Sequence, residues 1–69
     1  MIQMVVNGEV VSLEEKMTLE AFVEKRGINP LSIVMEHNGV VVKKEQWGSI
    51  ECCANDTLEI LAFMGGGSK

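Results

Sequence analysis

The run Thr57-Leu58-Glu59-Ile60-Leu61-Ala62-Phe63-Met64 passes directly into Gly65-Gly66-Gly67-Ser68-Lys69. The first eight residues alternate imperfectly and are apolar enough to predict a central strand covered on both faces. The last five cannot prolong that strand. Glycine loses more backbone entropy on ordering than any other residue and offers no side chain to pack, so three in succession serve something other than stability. A segment without Cβ atoms can thread extended through a narrow channel, and five residues at about 3.3–3.6 Å each reach on the order of 17 Å beyond a sheet. The expected organisation is a folded domain over 1–64 and a flexible glycine-rich tail over 65–69.

Working back from that strand, Asn55-Asp56 is a turn pair, and Glu45-Gln46-Trp47 within 43–48 is too short for a full helix. It reads as a helical turn that lays Trp47 on the sheet. The segment Ser32 to Glu36 and the run Val40-Val41-Val42 flank Asn38-Gly39, and Ile2 to Val6 and Glu9 to Leu13 flank Asn7-Gly8. Asn-Gly between β-branched runs predicts a hairpin, because both residues accept the positive φ of a type I′ turn. Between the hairpins, Thr18 can cap a helix whose apolar residues Leu19, Phe22 and Val23 share one face, with Met17 and Phe22 placed as a hydrophobic staple. Lys25-Arg26 suits its C-terminal end and Gly27 is a natural C′ residue, giving about three turns before Asn29-Pro30. The order strand, strand, helix, strand, strand, short turn, strand predicts an α+β domain with one helix packed on one face of a mixed sheet. That is the order of the β-grasp, or ubiquitin-like, fold, in which the last strand lies beside the first.

Composition narrows the function classes. Sixty-nine residues allow one domain with a thin stability margin and no room for separate catalytic and substrate domains. A net charge of −4 repels phosphate backbones and anionic lipids, so neither nucleic acid nor a membrane is an expected partner. Without a basic leader or an apolar run long enough to span a bilayer, the protein is expected in the cytoplasm. Cys52 and Cys53 are adjacent and supply no disulfide framework, and no second Cys or His pair completes a metal site. One of the two thiols is expected in the core and the other at the surface. His37 has no evident ligand or nucleophile partner and reads as a solvated strand-end residue. The methionines read as core filler and an initiator. Glu14-Glu15-Lys16 and Lys43-Lys44-Glu45 read as solvated loop charges. Phe63 and Met64 stand where the strand gives way to the tail, and at least one must face outward, so both are candidates for docking a partner. No catalytic residue and no metal ligand is identified.

The whole chain resembles the ThiS family of sulfur carrier proteins, relatives of the molybdopterin-synthase small subunit and of ubiquitin. The resemblance rests on the Val6-Asn7-Gly8-Glu9 hairpin, on Thr18-Leu19 opening the helix and on Asn38-Gly39 with Val40 to Val42 leading to Glu45-Gln46-Trp47. It extends to Asp56-Thr57-Leu58-Glu59-Ile60 and the terminal Gly65-Gly66-Gly67. The resemblance implies a carrier and protein substrate that binds no cofactor. A ubiquitin-activating-type adenylating enzyme (ThiF-like) spends ATP to adenylate the glycine terminus, Gly67 or Gly66, and persulfide sulfur then displaces AMP to leave a thiocarboxylate. A thiazole synthase (ThiG-like) accepts the sulfur for the thiazole ring of thiamin. Gly65 belongs to the threaded segment. Family members commonly end at the glycines, so Ser68-Lys69 is expected to be a processed extension, removed by a metal-dependent peptidase, with a cloning scar as the alternative. Two other readings keep the fold: a carrier serving another acceptor (molybdopterin, an amino acid or a secondary metabolite), and a non-covalent β-grasp interaction module.

Overall fold

Two Asn-Gly pairs fold the chain into two hairpins, and a fifth strand joins them. In the computed structural model, which describes residues 1–63, β1 (Ile2–Val6) and β2 (Glu9–Leu13) pair antiparallel around Asn7-Gly8. The φ angles there, 51° and 83°, are those of a type I′ turn. β3 (Ile33–His37) and β4 (Val40–Val42) repeat the device around Asn38-Gly39, with φ of 53° and 86°. β5 (Thr57–Ala62) runs parallel to β1 and antiparallel to β3, giving the order β2-β1-β5-β3-β4. The architecture is the expected α+β, β-grasp sheet with its last strand in the middle.

The one α-helix among the described residues, α1 (Leu19–Lys25), starts where the Thr18 hydroxyl accepts the Ala21 N–H at 3.1 Å. It has seven residues, two turns rather than the three expected. The Gly27 N–H donates to Glu24 O and the Ile28 N–H to Val23 O, a Schellman closure that Gly27 permits by taking φ 69°. Ile28 then packs on the core, as Met17 does at the other end. Asn29 begins a 3₁₀ turn, Pro30–Ser32, by accepting the Leu31 N–H, so β3 begins at Ile33 and not at Ser32.

Leu19, Phe22 and Val23 from the helix bury against Met4, Leu13, Ile33, Met35, Val42 and Leu58 from the sheet. Trp47 closes the end of this core as expected. It sits on the 3₁₀ turn Lys44–Ser49, 2% exposed, and its indole N–H donates to Val42 O at 3.2 Å. Gln46 holds that turn by accepting the Lys43 N–H at 2.8 Å.

Burial of β5 differs from the expectation of a strand covered on both faces. Leu58 and Ile60 face the helix, whereas Thr57, Glu59 and Leu61 lie on the open face. One helix covers one side of a five-stranded sheet, so the other side meets solvent whatever its hydropathy.

The asparagines of both turns also reach β5. The Asn7 amide brackets the backbone of Ile60, donating to its carbonyl at 3.2 Å and accepting its N–H at 2.7 Å. Asn38 Oδ1 accepts the Thr57 N–H at 2.9 Å, and its amide donates to Asp56 Oδ1 at 3.1 Å. The carboxylate of Asp56 further accepts His37 Nε2 and the Cys53 N–H, both at 2.8 Å. His37 is therefore not the unpartnered, solvated residue expected from its position. Burial alone would raise the Asp56 pKa, but the bonds from His37, Asn38 and the Cys53 N–H outweigh it and hold the carboxyl below 3.8.

Two predictions follow from these clasps. Removing the amide in Asn7→Gly, which keeps the positive φ of the turn, leaves the Ile60 N–H and C=O to water, at a cost of about 1 kcal/mol. Hydrogen exchange should show the Ile60 amide losing protection while the β1–β2 ladder keeps its own. The lowered Asp56 pKa contributes stability that is complete above the unfolded value of 3.8 and is lost as the pH falls through the folded value. In urea titrations, Asp56→Asn should cost about 2 kcal/mol at pH 7, and the difference from wild type should shrink progressively as the pH is taken below 3.8.

Candidate functional site

The C-terminal end of β5 is the last described part of the chain before the glycines, and its pairing changes along its length. Beside β1 the register runs only through Val5↔Thr57 and Val6↔Leu58, after which β1 turns away at Asn7. Past the Asn7 clasp on Ile60, β5 is paired on one side only, to β3, through Val34↔Leu61 and Ile33↔Ala62. The Phe63 N–H extends that ladder by one bond to Ser32 O at 3.0 Å. The backbone is thus anchored to Phe63.

Around this end the surface is apolar. Leu61 is 56% exposed and its partner across the strands, Val34, is 40% exposed. Phe63 is 48% exposed, and Leu31 on the neighbouring 3₁₀ turn is more exposed still. The expectation that an apolar residue faces outward here holds for Phe63. Met64 and the residues assigned to the tail and its processing (Gly65, Gly66, Gly67, Ser68 and Lys69) lie outside the described residues. Sequence alone does not single out Leu61 and Val34, because the expected strand, covered on both faces, leaves Leu61 no exposed side. Strict alternation from Leu58 would have placed it on the open face.

Glu59 and Glu36 sit on that same open face, directly opposite each other in the β3–β5 register, and Val41 of β4 is the next partner beyond Glu36. Among the described residues no Lys or Arg nitrogen lies within salt-bridge distance of either carboxylate; the one such pair is His37–Asp56.

The thiols divide as expected, on the loop before β5. Cys52 is buried, and burial, reinforced by the charge of Asp56, pushes its thiol up to about 11. Cys53 is exposed. Among the described residues no cluster of three or more His, Cys, Asp or Glu side chains is placed to hold a metal, and no helix is long and apolar enough to cross a membrane. A groove of about 310 Å³ lies elsewhere, between β2 and α1, with Val11, Met17, Phe22 and Arg26 in its lining. It does not include the residues around Phe63.

Comparison with known proteins agrees with this geometry. A crystal structure of the thiamine biosynthesis protein ThiS from Geobacter metallireducens superposes with a TM-score of 0.83 at 25% identity, covering 96% of this chain and all of that one. A solution structure of a thiamine biosynthesis protein from the same organism gives 0.79 at 24% identity, covering 99% of this chain and 91% of that one, and supports the fold. Two curated relatives are each called thiazole synthase. The one from Paramagnetospirillum magneticum is 35% identical over 66 residues, 96% of this chain and 20% of that protein. The one from Magnetococcus marinus is 33% identical over 61 residues, 88% of this chain and 19% of that protein. The chain therefore spans about a fifth of the length of the curated relatives it matches. The model of the ThiS family matches residues 2–67, nearly the whole sequence, and the chain belongs to the ThiS family.

Proposed function

We propose that this protein carries sulfur as a thiocarboxylate on its C-terminal glycine and delivers it for thiazole formation in thiamin biosynthesis. The observation that carries the reading is a ThiS-family domain whose central strand is anchored to Phe63, immediately before Met64 and three glycines. A carboxylate is a poor electrophile. Adenylation by a ThiF-like enzyme, at the expense of ATP, converts it to an acyl adenylate. The terminal sulfur of a cysteine persulfide displaces AMP to give an acyl disulfide, and a second thiol cleaves its S–S bond, leaving the thiocarboxylate and a disulfide on the donor side. The carrier provides the carboxylate and its reach, and the enzymes that act on it provide the acids, bases and oxyanion stabilisation. On this reading the protein is a substrate and not a catalyst, and it holds no cofactor of its own.

Support for the acceptor comes from the two relatives called thiazole synthase, in which a stretch similar to this chain forms about a fifth of a longer protein. A carrier-like segment joined to the synthase that would consume its sulfur is the arrangement expected if the two meet directly, so a ThiG-like synthase is the proposed acceptor. Support for the terminus comes from the family match, which extends to Gly67 and leaves Ser68 and Lys69 outside it. For Gly67 to carry the free carboxylate, everything from Ser68 onward must be removed, and a metal-dependent peptidase is the proposed agent. The apolar surface of Leu61, Val34 and Phe63, with Met64 next in sequence, is the proposed docking surface for the adenylating enzyme.

Intact mass spectrometry of protein isolated from its own host, before and after incubation with the adenylating enzyme, ATP and a persulfide donor, tests the reading. A chain ending at Gly67 that gains about 16 Da, the difference between oxygen and sulfur, is the expected result. Release of the sulfur on addition of thiazole synthase and its substrates assigns the acceptor, whereas release only to another enzyme transfers the carrier to another pathway. If the chain never loses Ser68-Lys69 and never forms an adenylate, carriage is excluded and a binding module remains.

A further inference from the structure

We infer that the paired carboxylates of Glu36 and Glu59 form a receptor for a cationic side chain of the activating enzyme, set within the apolar surface that docks it. The inference rests on the carrier reading above. It begins with the register: Glu36 of β3 and Glu59 of β5 are direct antiparallel partners, so their Cβ atoms stand about 4.5–5.5 Å apart on the open face of the sheet. Like charges directly opposite in a sheet destabilise it, and Lys, Arg, Thr or an apolar residue at either site would remove the repulsion. Elsewhere in the sheet the register sets a glutamate opposite an apolar residue, as in Val6↔Glu9 and Glu36↔Val41. The described residues place no Lys or Arg nitrogen within 4.0 Å to compensate the pair.

The surroundings decide what would relieve it. Two positions further along the same strands, the next pair on the open face is Val34↔Leu61, both exposed, and Val41, 59% exposed, flanks Glu36 on the other side. Two negative charges bordered by aliphatic side chains complement a long basic side chain whose stem lies on Leu61 and Val34 and whose head reaches between the carboxylates. Arginine suits this best, since its planar guanidinium can serve two carboxylates at once and is weakly hydrated. Water would be displaced from the apolar rim as the surfaces meet, strengthening the pairing. The position gives it a role in recognition: β5 carries Glu59 and leads through Phe63 toward the glycines, so a cation seated on Glu59 fixes the direction in which the tail leaves. A partner lacking the cation would leave two carboxylates desolvated and unpaired, which discriminates against the wrong enzyme.

The test compares wild type with Glu36→Gln, Glu59→Gln and the double variant in calorimetric binding to the host's adenylating enzyme and in ATP–pyrophosphate exchange. Glu15→Gln, an equal charge change on the loop after β2, serves as the control. Each Gln variant on the sheet should weaken binding and raise KM by about tenfold at low salt, leave kcat unchanged and flatten the salt dependence. Its thermal stability should be equal to or above that of wild type, because a repulsion has been removed. Gln variants that bind and exchange like wild type, or that lose no more than Glu15→Gln does, overturn the inference. A wild-type chain with its glycine terminus exposed that supports no exchange overturns the carrier reading itself. The two failures are therefore distinguishable.

Discussion

The geometry of the central strand depends on two asparagine side chains. Asn7 and Asn38 take the left-handed backbone conformation that a two-residue hairpin turn requires, and each then spends its amide on β5. Glycine or aspartate at either position would serve the turn about as well, but glycine has no side chain and aspartate has no N–H to donate. Turn formation and strand placement are thus carried by the same residues. The first hairpin grips β5 near its far end at Ile60 and the second grips its beginning at Thr57, so the two local structures converge on the one strand that the glycines follow. Asp56 adds a third element to the second grip. Its carboxylate gathers His37, Asn38 and the Cys53 N–H at the entry to β5, where the chain arrives from a turn with Asn55 at φ 71°.

A strand gripped in this way can afford an open flank. Past Ile60 its only neighbour among the described strands is β3, and its outward residues meet solvent on a face no helix covers. An isolated exposed leucine needs no explanation. Leu61 beside Val34, with Leu31 and Phe63 at the same end, forms a group, and it surrounds the place where the described chain ends. Hydropathy in β5 therefore has two causes: Leu58 and Ile60 stabilise the fold, whereas Leu61 contributes little to the core of this chain.

Both hairpins, the helix start and the position of Trp47 were legible in the sequence because each has a signature a few residues long: Asn-Gly between β-branched runs, Thr before an apolar periodicity, an isolated Trp after a polar turn. The β-grasp order followed from placing those elements in sequence. The helix proved a turn shorter because Gly27 sets a Schellman closure with Ile28, and the apolar Ile28 after the glycine was the available sign. Two features had no local signature. His37 and Asp56 are nineteen residues apart, and their meeting depends on the β3–β5 register, which neither residue announces. Likewise, the apolar run of β5 does not say how many faces of the sheet are covered; that depends on there being one helix. Of the candidate site, Phe63 was legible by its place before the glycines, while Leu61, Val34 and the Glu36–Glu59 pair required the register.

The placement of the thiols bears on the same chemistry. On the proposed reading, the activated glycine terminus is an electrophile, and a thiolate on the same chain would compete with the persulfide for it. Cys52 is buried and holds its proton to about 11, so it supplies almost no thiolate at neutral pH. Cys53 is exposed but lies before the start of β5, and the six residues of that strand, at about 3.3 Å each, place roughly 20 Å of rigid sheet between it and the end from which the tail leaves. The clasps that hold β5 therefore keep the exposed thiol of Cys53 and Phe63, the last described residue, at opposite ends of one strand.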